Sequence, residues 1–192
     1  MNTGQWILGL VFIVALDMSN AQSTDGNSLP PNSVYHLKVS VEDQFGKVTG
    51  LDRYRGKPVL ITMFYANCPH VCPMLISTIK LTESKLSAEE RVDLRVLTIS
   101  IDPERDTPAK LREILERHSV DASRWSMVRS QPGDIRTLAG VFGIRYKQLP
   151  GGDFNHTTRI VLLDREGTQV ASTEQLGHHD AVFLEAIKSS LH

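Results

Sequence analysis

Hydrophobic and polar residues follow one another along this chain in the pattern of an α/β domain, in which strands and helices alternate. Alternating or continuous apolar stretches predict strands at residues 34–41, 58–65, 93–101, 157–163 and 168–173. The stretch at residues 58–65 is almost entirely apolar and rich in β-forming residues, which is typical of a central strand buried on both faces. A turn signal at residues 44–47 follows the first strand, and we expect an N-terminal β-hairpin there.

Helices are predicted between and after these strands. Apolar residues recur at helical spacing in residues 71–86, and Thr107 followed by Pro108 supplies a capping hydroxyl and a proline for the first turn of the next helix. Further helices are predicted at residues 132–142 and 181–191. The pattern therefore favours a twisted central sheet of four to five strands flanked by helices.

The N-terminal part of the chain differs from the rest. Residues 6–16 form an uninterrupted apolar run that is short for a bilayer span, and small residues follow it, which predicts a signal peptide at residues 1–21 with cleavage after Ala21. Residues 22–33 are polar and predict a linker, and residues 34–192 predict one globular domain. We expect a periplasmic protein. The alternative is an uncleaved anchor in the inner membrane facing the periplasm, because no Lys or Arg precedes the apolar run.

Composition narrows the possible partners. The chain has 192 residues, of which 41% are hydrophobic, and its formal net charge is -1. That size and composition suit a single buried core. The balanced charge argues against nucleic acid as a partner, since nucleic-acid binding requires a basic surface.

The chain has only two cysteines, Cys68 and Cys72. A disulfide across so short a loop would remove little chain entropy from the unfolded state, so close spacing suits redox chemistry or metal binding better than structural crosslinking. Cys68 lies just before the predicted helix and Cys72 in its first turn, where unpaired N–H groups stabilise a thiolate and lower its pKa. Two thiolates four residues apart could hold one soft ion such as Cu(I).

Three motifs, in residues 64–73 (FYANCPHVCP), 100–108 (SIDPERDTP) and 155–167 (NHTTRIVLLDREG), together resemble the Sco/SenC family of copper proteins. The resemblance runs from about Tyr35 to the C-terminal helix. It implies a thioredoxin-like fold and copper, as Cu(I) or Cu(II), bound by Cys68, Cys72 and His156. We interpret the SIDPERDTP segment only as a strand end and a helix cap. Where a thioredoxin-like enzyme places a proline opposite its cysteines, this chain has His156.

The resemblance also implies a role. Members of the family assist copper delivery to the dinuclear copper centre of cytochrome c oxidase. We therefore expect a monomeric metallochaperone whose partner is a copper-receiving subunit of that oxidase or another copper chaperone. Membrane association would come only through the partner or an uncleaved signal anchor. The alternative is a thiol-disulfide oxidoreductase, in which Cys68 and Cys72 are a redox-active pair that reduces the cysteines of a copper-receiving partner.

Two positions depart from the common family pattern. Many members carry Asp directly before the histidine, where this chain has Asn155, and this changes the local charge. His70 lies between the cysteines at a variable position. It could supply a fourth ligand and favour four-coordinate Zn(II). We expect instead that its side chain points to solvent.

Overall fold

The computed structural model describes residues 28–68 and 71–192. The predicted signal peptide, residues 22–27 of the predicted linker and His70 lie outside the described residues. Within the part of the chain that is described, no helix has the length and apolarity needed to cross a membrane. At the end of the predicted linker, Leu29 packs against the core and the Ser33 side chain is buried.

A seven-stranded sheet in the order β2-β1-β5-β4-β3-β8-β9 forms the centre of the molecule, and β6 and β7 form a separate two-stranded sheet. The strands are β1 Val41–Asp43, β2 Val48–Thr49, β3 Val59–Phe64, β4 Arg95–Ser100, β5 Trp125–Ser130, β6 Tyr146–Gln148, β7 Phe154–His156, β8 Ile160–Leu163 and β9 Gln169–Thr173. Strands β3, β4 and β5 are parallel, whereas β8, β9, β1 and β2 pair antiparallel.

The helices are α1 Val71–Glu83, α2 Ala88–Asp93, α3 Pro108–Arg117, α4 Pro132–Val141 and α5 Ala181–Leu191. Every residue of β3 is buried, as the apolar run predicted, so both faces of this strand are covered. The predicted helix start at Thr107 is also confirmed, since its side chain accepts a hydrogen bond from the Lys110 N–H. The thioredoxin-like α/β fold is confirmed. Five strands form its centre, and the hairpin of β1 and β2 extends it beyond β5.

The predicted strand at residues 34–41 is wrong over most of its length. Val34–His36 forms a 3-10 helix instead, and β1 begins only at Val41. The Ser33 side chain caps this helix by accepting a hydrogen bond from the Tyr35 N–H, and the Val34 N–H donates to the Gly167 carbonyl. The buried residues Val34 and Tyr35 are neighbours in the chain, so the alternation of a half-buried strand is absent.

The candidate site residues lie at one edge of the sheet. Strands β3 and β4 run parallel with Phe64 opposite Ser100, so the segments that follow them leave from the same edge. One is the cysteine segment, residues 65–68. The other is the bridging loop, residues 101–107, whose Ile101 N–H donates to the Phe64 carbonyl at 2.8 Å. The histidine hairpin, β6 and β7, carries His156 at its end.

Candidate metal centre

The two cysteines lie together at the start of α1. Cys72 is the second residue of the helix and is buried, whereas Cys68 precedes the helix and is partly exposed. The Cys72 N–H donates to the Cys68 sulfur at 3.4 Å. The two cysteines are not joined by a disulfide in the structure. The sequence prediction that these residues share the N-terminal end of a helix is therefore confirmed.

The expected electrostatic effect on Cys72 is wrong. Burial raises the pKa of the Cys72 thiol, and the neighbouring charge and hydrogen bond of Cys68 raise it further, against a smaller lowering by a backbone hydrogen bond from Tyr65. Desolvation of a thiolate thus outweighs the stabilisation that a helix start provides. In the metal-free protein Cys72 is a protonated, buried thiol, and Cys68 is the more accessible sulfur of the pair.

His156 ends the second strand of the histidine hairpin. Its Nδ1 lies 3.2 Å from the carbonyl oxygen of Thr157, which only accepts, so the proton sits on Nδ1. Its Nε2 is buried and has no hydrogen-bond partner among the described residues. Burial also lowers the pKa of His156, against a smaller opposing effect of the Thr157 hydrogen bond. The result is a neutral imidazole with a free lone pair on Nε2, which is the form that binds a metal.

Tyr65 stands between the cysteines and the histidine. Its ring centroid lies 6.1 Å from that of His156 and 5.4 Å from that of Phe154, both in edge arrangements. Burial raises the pKa of the Tyr65 phenol, and the charge and hydrogen bonding of Cys68 raise it further. Tyr65 therefore contacts both halves of the candidate site, and sequence reasoning did not single it out.

The structure does not bring all three predicted ligands into one cluster. Among residues 28–68 and 71–192, no group of three Cys, His, Asp or Glu side chains lies close enough to hold a metal ion. Cys68 and Cys72 are adjacent, whereas His156 is packed against Tyr65. Binding by all three residues would require them to move closer together.

The bridging loop is more than a strand end and a helix cap. Asp106 is fully buried, and its Oδ2 accepts hydrogen bonds from the Ala66 N–H at 3.0 Å and the Ser100 hydroxyl at 2.5 Å. Its Oδ1 is buried without a partner among the described residues, and burial raises the pKa of this carboxyl. Asp106 thus fixes the cysteine segment to the end of β4.

Arg105 makes the corresponding connection to the histidine hairpin. Its guanidinium donates to the Asp102 carboxylate and to the Gly152 carbonyl, and it lies 5.9 Å from the Phe154 ring centroid. The bridging loop therefore holds both the cysteine segment and the histidine hairpin. The sequence did contain a signal for this role of the bridging loop. Charged residues directly follow a buried strand there, and charges that become buried require specific partners.

Comparison with known proteins gives a consistent result. The SCO1/SenC family model matches residues 33–192. The "SCO1 protein homolog" of Bacillus subtilis is 28% identical over 121 residues, which cover 62% of this chain and 59% of that protein. Yeast "Protein SCO1, mitochondrial", from Saccharomyces cerevisiae, is 35% identical over 136 residues, covering 69% of this chain and 45% of the yeast protein. The chain spans about three fifths of the length of the first curated relatives it matches.

A solved structure shares the fold. The structure of Bradyrhizobium japonicum ScoI with copper bound is 28% identical, with a TM-score of 0.67, and the match covers 79% of this chain and 96% of that one. That relative contains copper.

Proposed function

This chain belongs to the SCO1/SenC family, and from this premise we propose that it is a copper metallochaperone that holds one copper ion on Cys68, Cys72 and His156. It delivers that copper to the dinuclear copper site of cytochrome c oxidase, or prepares that site. The oxidase subunit that receives copper, or another copper chaperone, is its partner. The protein is exported by its N-terminal apolar segment and acts in the periplasm, either free or held at the inner membrane by that segment.

The observation that carries the proposal is the state of His156. A buried imidazole nitrogen without a partner costs free energy, because it has lost its hydrogen bond to water. Here the other nitrogen is tied to the Thr157 carbonyl, so Nε2 carries the lone pair. A histidine ligand is held in this way in metal sites, where the second nitrogen fixes the tautomer and the ring orientation.

The two thiols supply the soft ligands that favour Cu(I). Copper binding releases their protons, because the thiolate is the ligand, and transfer to a partner exchanges these sulfur ligands for those of the partner without moving an electron. The raised pKa of Cys72 means that the metal must displace a tightly held proton. Closure brings the cysteine segment and the histidine hairpin together around Tyr65.

The test is a copper titration of the reduced and the oxidised full chain followed by native mass spectrometry. We expect one copper on the reduced protein and none held tightly after the Cys68–Cys72 disulfide forms. His156→Ala should weaken Cu(II) binding more than Cu(I) binding, since two thiolates can hold Cu(I) in linear geometry. His36→Ala is the matched control, because His36 is exposed and is not a proposed ligand. Stoichiometric copper on the oxidised protein would contradict the proposal.

A second function is favoured by the unequal exposure of the cysteines. The partly exposed Cys68 thiolate can attack a partner disulfide, and the buried Cys72 can then attack Cys68 and release the reduced partner. The partner gains two electrons and two protons, and the chain is left with a disulfide. This oxidoreductase needs no His156. The oxidoreductase would therefore be favoured over the metallochaperone if His156→Ala bound both Cu(I) and Cu(II) as tightly as the wild type and reduced a partner disulfide equally well.

A further inference from the structure

The histidine hairpin has an outer surface on which most residues have no part in the proposed ligand set. A cavity of about 400 Å³ opens there, lined by Arg145, Tyr146, Lys147, Asn155, His156 and Thr157. Tyr146 lies opposite His156 and Lys147 opposite Asn155 in the antiparallel register. The cavity therefore includes the proposed histidine ligand. It also lies on a hairpin that forms its own sheet, outside the central one.

The charges on this surface are not balanced locally. Arg145 and Lys147 are exposed, and neither forms an ion pair with any described residue. Residues 144–159 contain three basic residues, of which Arg159 is the third, and one acidic residue, Asp153. The whole chain has a formal net charge of -1. The segment around His156 thus carries more basic than acidic residues, on a protein that is otherwise almost neutral.

Asn155 contributes to the excess of positive charge because its side chain is neutral. A carboxylate at this position would lie opposite Lys147 in the hairpin and would partly neutralise it. The neutral amide leaves the cation without a local partner. In the copper-loaded molecule the deprotonated cysteines would repel an acidic partner, and these cations are nearby groups that would attract one.

We propose that this surface, Arg145, Lys147 and Asn155 around His156, docks an acidic protein surface that borders the metal site of the copper-receiving partner. The proposal rests on the proposed function and names the chemistry of the partner. Both cations are exposed, which suits steering of a charged protein surface rather than tight retention of a small anion by buried donors. Leu149, which is 41% exposed beside the hairpin turn, adds apolar contact of the kind found within protein interfaces.

The experiment measures copper transfer from the reduced full chain to a soluble dinuclear-copper domain of cytochrome c oxidase with acidic residues around its metal site. Its variants are the double substitution Arg145→Glu and Lys147→Glu and, as control, Lys85→Glu and Arg112→Glu. All four residues are exposed, and each pair changes the net charge equally. Transfer by the wild type and by the control should slow as salt rises. At low salt the hairpin variant should be at least about tenfold slower, because steering by charge changes association rates by that order.

Further results separate the possible outcomes. Equal rates for the two double variants, or a wild-type rate independent of salt, would overturn the proposal. Loss of transfer on adding inorganic phosphate at constant ionic strength would also overturn it and would indicate a small-anion site. The association of the two metal-free proteins, measured with the same variants and salt series, tests docking even if the chain takes up no copper. In that case the proposed function fails, and the docking inference stands or falls separately.

Discussion

Arg105 and Gly152 are 47 residues apart in the chain, and the Arg105 guanidinium donates a hydrogen bond to the Gly152 carbonyl. The contact joins the bridging loop to the turn of the histidine hairpin, and the Asp102 carboxylate accepts a second hydrogen bond from the same guanidinium. Because the hairpin pairs with no strand of the central sheet, its position beside Tyr65 depends on contacts of this kind, among them this hydrogen bond and the ring contacts of Phe154.

Arg105→Gln should therefore loosen the histidine hairpin without unfolding the domain. Arg105 is exposed, so its loss removes little buried surface. We expect the affinity for Cu(II) to fall by about tenfold, as is typical when a group that orients a ligand is lost. The affinity for Cu(I) should fall less, because the cysteine pair does not depend on this contact. Copper affinities, the visible spectrum of the Cu(II) form and the melting temperature are the measurements.

Two variants test the reason for this effect. Asp102→Asn should produce a loss in the same direction, and the double variant should be no worse than Arg105→Gln alone, because Asp102 acts by orienting the Arg105 guanidinium. Arg112→Gln, on the exposed face of α3, is the control and should have no effect. Unchanged Cu(II) affinity of Arg105→Gln would show that the hairpin keeps its place by other contacts.

Asp106 should matter for stability in a way that depends on pH. Burial holds the pKa of its carboxyl above the ordinary Asp value. A raised pKa in the folded state means that the fold favours the protonated form. The stabilisation is therefore fully present below the ordinary pKa and is lost as pH rises through the folded-state value. Asp106→Asn keeps an acceptor for the Ala66 N–H and the Ser100 hydroxyl and removes this titration.

The measurement is the free energy of unfolding in urea across pH 3 to 8 for both proteins. The difference between wild type and Asp106→Asn should shift in favour of the variant as pH rises. Asp106→Ala is the second comparison. It leaves both donors without an acceptor and should cost about 1–3 kcal/mol. A pH-independent difference between wild type and Asp106→Asn would contradict the assignment of a buried, titrating carboxyl.

Much of the fold could be predicted from the sequence where a strong local signal exists. Helix α5 was predicted at its observed bounds, and in the structure the Asp180 side chain caps it. Strand β5 and helix α2 were not predicted, although Ser87 and Glu90 form a capping box that signals the start of α2. Strands β6 and β7 are three residues each, too short for any periodic pattern to be visible.

Some features of the candidate site could likewise be predicted from the local sequence, and others could not. The spacing and placement of Cys68 and Cys72 predicted their proximity at a helix start. His156 was identified only through the resemblance to a family. The roles of Arg105 and Asp106 depend on contacts with Gly152 and Ala66, which no local pattern encodes. The burial that reverses the expected pKa shift of Cys72 is likewise a property of the assembled core.

Gly167 is required by the 3-10 helix that replaced the predicted first strand. Its φ is +83°, and a Cβ there would lie 2.7 Å from two ring carbons of Tyr35. Gly167→Ala should therefore destabilise the domain by about 1–3 kcal/mol, the usual cost of a side chain in such a conformation, plus the cost of displacing the ring.

The matched control is Gly140→Ala, inside α4, where a Cβ would meet nothing within 4 Å. It should stabilise the protein by about 0.5–1 kcal/mol, because alanine loses less conformational entropy than glycine in a helix. Urea unfolding of the metal-free proteins gives both values. Equal effects of the two substitutions would argue against the close packing of Tyr35 on the β8–β9 turn.

The buried His156 predicts how copper binding changes with pH. Burial lowers its pKa, so the imidazole stays neutral at a pH where an ordinary histidine, with a pKa of about 6.5, is half protonated. Both wild type and His156→Ala must release cysteine protons to bind copper, so the ratio of their Cu(II) affinities isolates the histidine. This ratio should stay constant as pH falls from 8 to about 6.5 and should shrink only at lower pH.

The stability of the metal-free protein provides an independent check on the lowered pKa of His156. Because this pKa is lower in the folded than in the unfolded state, protonation of the imidazole favours unfolding. The stability that neutral His156 contributes is present above the ordinary histidine pKa and is lost as pH falls below it towards the folded-state value. The free energy of unfolding of wild type should therefore fall more steeply below about pH 6.5 than that of His156→Ala. His118, whose pKa is also lowered by burial and by Lys80 and Arg117, contributes equally to both proteins and cancels in the comparison. Identical pH profiles for the two proteins would mean that His156 is solvated like a surface histidine, and the argument for a free, metal-ready Nε2 would fail.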